Sequence, residues 1–394
     1  MIVQLIYKVV LQMSITGDQT YIKQMNKNLV LHSIRREAPL SRAQVSLSTG
    51  LNKGTVSSLV AELIDENLVY EIGPGKSSGG RRPVMLMFQN KAGASIGIDI
   101  GVNYISGVLT DLNGNVLEKK ETALQNTNYR LVFAEIVKIT EDLIAVAPAT
   151  PYGVVGIGVG VPGIVDDHGN ILLAPNLDWQ DVRLKEEMED YFQLPVTVEN
   201  EANAGAYGEM TFGQGKDSDT MLFFSVGIGI GSGIIVDKSI FRGTKGFAGE
   251  VGHMSVEMNG AKCSCGNRGC WELYASEKAI ENEAKNFYNE ELRLEDLLKK
   301  ADEKEAGAIR IFHGVGENLG IGIANMINVY NPDLVVIGNR IAKSKLWIEN
   351  PLKRAVETRA LPFHQQNVKI AFSEMNSDGI ALGAAYLMVE TFLA

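Results

Sequence analysis

The chain has 394 residues, 37 Lys and Arg against 47 Asp and Glu, a net charge of -10 and only three cysteines, which suits two or three domains and excludes a disulfide-dense exported scaffold. The charge is unevenly divided: residues 1–91 carry 11 Lys/Arg against 6 Asp/Glu, and residues 92–394 carry 26 against 41. A basic head on an acidic body is the pattern of a nucleic-acid reader joined to a small-molecule domain. The opening apolar run MIVQLIYKVVLQM is broken by Lys8. It is too short to span a bilayer and lacks a basic leader and cleavage site, so residues 1–18 are expected to be an accessory extension on a cytoplasmic protein with no membrane partner. No solenoid period or low-complexity tract is present.

Residues 19–90 predict a winged helix-turn-helix. Ile22, Met25, Leu29 and Ile34 mark a first helix over Tyr21–Arg36 that stops before Pro39. The run SRAQ from Ser41 is a capping box opening a second helix, ended by a tight turn at Gly50. A third helix from Asn52 carries Val56, Leu59, Val60 and Leu63 as its buried stripe, which leaves Lys53, Thr55, Ser57 and Ser58 at the exposed N-terminal end, where recognition helices meet base edges. Ser41, Arg42 and Asn52, at the starts of the second and third helices, complete that DNA-facing set. LVYEIG and RRPVMLMF read as strands around the bend GPGKSSGG, a wing whose Lys76, Arg81 and Arg82 suit phosphate or the minor groove.

Beyond residue 91 the pattern becomes strands alternating with helices. Residues 94–124 read as a strand, a bend at Asn113-Gly114 and a second strand; a helix follows over residues 127–147, then a strand with a glycine-rich exit at VPGIVDD, and a strand entering a helix at VENEANAGAYGE. The strand-turn-strand plan near Asp99 recurs near Ser225, predicting two lobes of related build with a cleft between them. A late helix over Ile309–Tyr330, rich in Gly and apolar residues, is left open between packing across lobes and lying at a dimer face.

All three cysteines, Cys263, Cys265 and Cys270, fall in one short run downstream of His253. Three thiolates and one imidazole predict a closed tetrahedral zinc site that shapes a loop and leaves no position for a catalytic water. An odd cysteine count with a C-x-C pair suits a metal better than a partial disulfide set. Glu250 and Glu272 flank the ligands, so a folded metal loop would bring two carboxylates and an imidazole to one face, a cluster suited to a hydroxyl-rich ligand.

DIGVN (Asp99–Asn103), VPGIVDD, VENEANAGAYGE, GIGIGSG from Gly227, FAGEVGHM, CSCGNRGCWE and NPDLVVIG together resemble the ROK family of repressors and sugar kinases over residues 92–390. The resemblance implies an α/β, two-lobed actin-like sugar-kinase fold over residues 91–394, with a hinge near 200–215 and a C-terminal helix returning to the first lobe. It implies a sugar site at Asn200, Glu201, Glu250, His253 and Glu272, with His253 placing one nitrogen on zinc and its ring edge beside the sugar. Asn176 and Trp179 are open between lining that pocket and forming a structural loop.

The family's phosphate turns run D-x-G-x-T and G-T-G-I-G-G-G; Asn103 and Ile228 stand where the two threonines belong. The family's catalytic Asp is Glu201 here, and a group displaced by about an ångström can lose about a hundredfold in rate. Gly338-Asn339 replaces a Gly-Gly that would admit a nucleotide base. With the winged helix in front, the resemblance implies a non-enzymatic, homodimeric or larger repressor on a palindromic operator, with xylose as inducer and glucose as a competing sugar. A pyranose pentose has no C6 hydroxymethyl to accept phosphate, in keeping with lost transfer. The alternatives are an active glucose or hexose kinase and a repressor answering another sugar such as N-acetylglucosamine.

Overall fold

The computed structural model describes residues 19–74, 82–375 and 378–394. The expected extension over residues 1–18, and Lys76 and Arg81 of the wing, lie outside the described residues. The chain divides into two compact units, one comprising the residues up to Gly93 with 149–153 and the last two, the other comprising 94–148 and 154–392. Among the described residues no helix is long and apolar enough to cross a membrane.

In the first unit α1 (Gln19–Glu37) ends where Pro39 removes a backbone donor. The helix expected over Tyr21–Arg36 is present; of the residues whose spacing suggested it, Ile22, Met25 and Leu29 are exposed, and Ile34 is buried with Val30 and Leu31. Only the C-terminal part of the helix has a core to face. β1 (Leu40–Ser41) leads into α2 (Arg42–Thr49), where the Ser41 hydroxyl accepts from Gln44 N and the Gln44 side chain returns to Ser41 N. Gly50, at φ 72°, closes α2 in the left-handed region. α3 (Lys53–Asp65) is capped by the Asn52 side chain and buries Val56, Leu59, Val60 and Leu63, as the helical period requires. β2 (Val69–Pro74) and β3 (Val84–Phe88) pair antiparallel, and β1 adds to β3 as a third strand too short to leave a periodic signal.

The second unit contains two lobes built on one plan. β4 (Ala94–Ile100), β5 (Tyr104–Asp111) and β6 (Val116–Ala123) are joined antiparallel. The single strand expected before the Asn113-Gly114 bend is therefore two, separated by a tight turn at Gly101–Asn103; apolar residues on both sides of the turn concealed it. α4 (Tyr129–Ala145) covers this sheet, β7 (Val154–Val161) pairs parallel with β4, and β8 (Ile164–Val165), β9 (Ile171–Ala174) and β10 (Trp179–Val182) form a small separate sheet. α5 (Leu184–Phe192) then leads to β11 (Val196–Asn200), parallel to β7, giving the order β11-β7-β4-β5-β6.

After α6 (Glu201–Thr211) come β12 (Met221–Val226), β13 (Ile230–Val236) and β14 (Ser239–Ile240), again antiparallel neighbours. α7 (Glu272–Ala275), α8 (Glu277–Tyr288), α9 (Leu294–Asp302) and α10 (Ala306–Tyr330) precede β15 (Leu334–Gly338). α11 (Lys345–Arg359), α12 (Pro362–Gln365), β16 (Lys369–Phe372) and α13 (Gly379–Leu393) finish the chain. The second sheet, β14-β13-β12-β15-β16, repeats the first in order and in strand direction. α10 packs within the second lobe: Ile311, Phe312, Val315, Leu319 and Ile323 share that lobe's core with Val335, Ile337, Leu352 and Val356.

Two helices, α6 and α13, connect the lobes through very small side chains. A Cβ on Gly97 would stand 1.9 Å from the Ala381 carbonyl oxygen, on Gly158 1.9 Å from Ala384 O, on Gly233 2.4 Å from Ala202 O, and on Gly383 1.8 Å from Ala204 O. The atoms met are backbone, which cannot rotate aside. Gly97→Ala is therefore expected to destabilise the second unit by about 3 kcal/mol or more, as forced overpacking does. Ser41→Ala, which removes a helix cap from the first unit, should cost about 1 kcal/mol. Denaturant unfolding of the two variants checks the ranking.

Candidate functional site

The segment carrying Glu250 and His253 lies directly on β13. A Cβ on Gly249 (φ 100°) would meet Ser232 O at 2.3 Å, and one on Gly252 would meet Ile230 O at 2.3 Å. The Ser232 hydroxyl donates to Gly249 O at 3.0 Å. The chain then leaves in a loop held by the bridges Ser255–Cys270 and Lys262–Arg268 and returns at Trp271, fully buried, whose Nε1 donates to Asn318 O at 2.9 Å. Both ends of the loop are thus pinned to the second lobe.

This closure gathers His253, Cys263, Cys265 and Cys270, one donor atom from each lying within 4.8 Å of all the others. Cys265 and Cys270 Sγ are 3.7 Å apart, and His253 Nδ1 is 3.7 Å from Cys263 Sγ. Those separations are far beyond a disulfide bond and match the edge of a tetrahedron around a metal with bonds of about 2.0–2.3 Å. The donor set therefore fits structural zinc. Glu272 lies against it, accepting from the Cys263 thiol at 3.2 Å and lying 3.4 Å from His253 Nδ1.

Glu272 also faces the cleft. A Cβ on Gly229 would stand 2.9 Å from Glu272 Oε2 and 3.6 Å from Asn176 Nδ2. Asn176 and Gly229 line one cavity with Glu201, Gly101, Val102, Asn103, Pro162, Ile228 and Asn339. Trp179 belongs elsewhere: it is buried, donates to Thr127 O at 2.8 Å and meets the Tyr129 ring edge-on. Of the two residues left open in sequence, Asn176 reaches the cleft and Trp179 is core. Asn200, just before Glu201, does not line that cavity: its Oδ1 caps α6 through Ala202 N and Asn203 N, and its Nδ2 donates to Gly163 O.

Glu201 opens α6 and accepts from the Ser225 hydroxyl at 3.1 Å, and Asn339 Nδ2 donates to Ser225 Oγ at 3.0 Å. Burial pushes the Glu201 carboxyl up to about 7, against the partial opposition of the Ser225 hydrogen bond. Asp99, wholly buried, is raised well above the usual carboxylate range by burial and then by Glu201, despite the bond it accepts from the Tyr104 hydroxyl at 2.8 Å. Glu250 keeps solvent access, yet the protein packed around it raises its carboxyl; the His253 ring opposes this and Glu272 adds to it. Sequence reasoning missed Tyr104, Ser225 and Arg340. Arg340 is held by Glu277 at 2.8 and 3.0 Å and by Glu295 at 2.9 Å. Ser225 and Arg340 meet their partners only through pairings of distant residues, which no motif spacing marks.

In the first unit Lys53, Ser57 and Ser58 are exposed on α3 and Thr55 is partly so. Thr55 is tied to Asn52, whose Nδ2 donates to its hydroxyl at 2.8 Å. Ser41 is buried and its hydroxyl is committed to the α2 cap; Arg42 pairs with Glu71 at 2.8 Å; Arg82 is exposed just before β3.

Replacing Cys265 by Ser is expected to lower bound zinc from one per chain to background, measured by plasma mass spectrometry, and to reduce the melting temperature. The Glu201 carboxyl gives a second expectation. Its folded value of about 7 lies above the ordinary 4.5, so its contribution to stability is complete below about pH 4.5 and is lost as pH rises through 7. Glu201→Gln should flatten that part of the pH–Tm profile. Asp99 acts in the same direction, so some slope should remain.

The ROK family model matches residues 95–391. The chain is 43% identical over 379 residues to the xylose repressor of Bacillus spizizenii, covering 96% of this chain and 98% of that protein. Among solved structures it is similar to a ROK family transcriptional regulator homologous to the Escherichia coli MLC protein, with TM-score 0.81, 27% identity and coverage of 94% of this chain and 97% of that one. It is also similar to a ROK family glucokinase from Streptomyces griseus in complex with glucose and AMPPNP, with TM-score 0.70, 27% identity and coverage of 75% and 98%. The duplicated sheets, the cysteine and histidine cluster and these likenesses agree: the chain belongs to the ROK family.

Proposed function

We propose that this protein is a sugar-responsive transcriptional repressor that binds the operator of xylose-utilisation genes and releases it when xylose occupies the cleft. The observation that carries this is identity of 43% to a xylose repressor across almost the whole of both chains, so the winged helix and the cleft are shared together. Asn176, Glu201, Glu250, His253 and Glu272 supply carboxylates, an amide and an imidazole for a small polyol, with Asn200 holding Glu201 in place from its cap. Zinc in the cysteine and histidine cluster would fix the loop that carries Glu250 and Glu272; it supplies structure and no catalytic water.

Lys53, Thr55, Ser57 and Ser58 would face base edges, and Lys76, Arg81 and Arg82 phosphates. Two copies on a palindromic operator would place their winged helices on half-sites spaced by whole helical turns. Sugar that favours a closed cleft and operator that favours an open one then oppose each other by equal factors. Phosphoryl transfer is lost in this reading. Asn103 and Ile228 give no hydroxyl to a phosphate, Glu201 is longer than the family's Asp, and Asn339 turns its amide onto Ser225.

Fluorescence anisotropy on a labelled operator tests the proposal. Xylose should release the protein, and glucose and N-acetylglucosamine should not. An operator complex that no sugar dissociates would sink it. Arg82→Ala should weaken binding about equally across sequences and reduce the salt slope by about one.

A further inference from the structure

Two glycine turns face each other across the cleft, Gly101–Asn103 after β4 and Gly227–Gly229 after β12, and both line the cavity that holds Glu201 and Asn176. Turns of this kind at strand ends are natural cradles for phosphate oxygens, because their backbone N–H groups point into the gap. In each turn here the first N–H is spent internally. Gly101 N donates to Tyr104 O at 2.9 Å, and Gly227 N donates to Gly229 O at 3.1 Å. The Tyr104 ring lies flat on the first turn: a Cβ on Gly101 would stand 2.2, 2.5 and 2.6 Å from its Cε1, Cδ1 and Cζ. Its hydroxyl is anchored on Asp99 at 2.8 Å, a carboxylate with no water access whose other oxygen has no hydrogen-bond partner among the described residues.

Tyr104 also borders two further cavities. One is an outer groove with Glu121, Arg340, Lys343 and Ser373; the other is a small interior space with Glu209, Phe223 and Gly379. The ring is thus a common wall of all three. On the reading of the inner chamber as a sugar site, we infer that Tyr104 is a specificity-determining partition that bars phosphate-bearing ligands from the cleft and leaves it to neutral polyols. Arg340, which lines both the inner cavity and the outer groove, is held by Glu277 and Glu295, and Lys343 lines the outer groove alone. The nearest acids inside, Asp99 and Glu201, offer a phosphate no positive charge.

The experiment is calorimetric titration of full-length wild type, Tyr104→Ala, Tyr104→Thr and Tyr104→Phe with Mg·AMPPNP, with inorganic pyrophosphate and with xylose. Wild type should bind neither phosphate probe, and Tyr104→Phe, which keeps the ring, should match it. Tyr104→Ala should gain at least about tenfold in affinity for one of the two probes, the scale on which pocket shape discriminates. Tyr104→Thr, a β-branched residue suited to the first position of a strand, repeats the test should Ala unfold the protein. Wild type binding a phosphate probe as tightly as the Ala variant, or a folded Ala or Thr variant that stays blind to both, would overturn the inference. A gain in Tyr104→Phe would overturn it too, by assigning the exclusion to the hydroxyl bond and not the ring. Xylose release of operator from wild type is read on the same preparation. Its failure would remove the sugar reading, whereas the phosphate titrations judge Tyr104 alone.

Discussion

Backbone lying on backbone, through Gly and Ala, sets the geometry of the two lobes. Gly97 and Gly158 in the first sheet receive the carbonyls of Ala381 and Ala384, and Gly233 in the second receives that of Ala202. At such distances a helix cannot slide on its sheet without collision, so α6 and α13 transmit position between lobes instead of absorbing it. The consequence reaches the cleft at once. α6 follows β11 without a linker, so Asn200, its cap, and Glu201, its first residue, stand where the interlobe packing puts them.

The opposite wall of the cleft is held by different physics. Gly249 and Gly252 press the chain onto β13, Trp271 fixes its return, and between them the four donor atoms close the loop. Glu272 immediately follows the buried Trp271 and reaches both the donor cluster and the space above Gly229. A metal in that cluster would act on the cleft by fixing side chains that touch it, as outer partners of a metal site commonly do.

Between the two walls lies a band of buried acid. Asp99, Glu201 and Glu209 all have carboxyls raised by burial; Asp99 accepts from the Tyr104 hydroxyl, Glu201 from that of Ser225, and Glu209 from the Gln214 backbone N–H. No cation neutralises them at hydrogen-bond distance among the described residues, because Arg340 is engaged by Glu277 and Glu295. Buried carboxyls with no cation at hydrogen-bond distance give a polyanion no attractive partner.

Local chemistry was legible in the sequence. The Ser41–Gln44 capping box, the Gly50 stop, the Val56–Leu63 stripe and the cysteine and histidine spacing are short-range patterns whose energetics depend on neighbours a few residues away. The sequence by itself therefore determined the winged-helix elements, the metal donor set and the repetition of the two lobes. It misled where a tight turn at Gly101–Asn103 lay within a stretch read as one strand. Only the tertiary structure decided that Trp179 is core, that α10 packs within its own lobe, and that Tyr104, Ser225 and Asn339 converge on Asp99 and Glu201. Those contacts join residues up to 114 positions apart. Their burial and pKa shifts arise from the sum of distant neighbours, which no local spacing encodes.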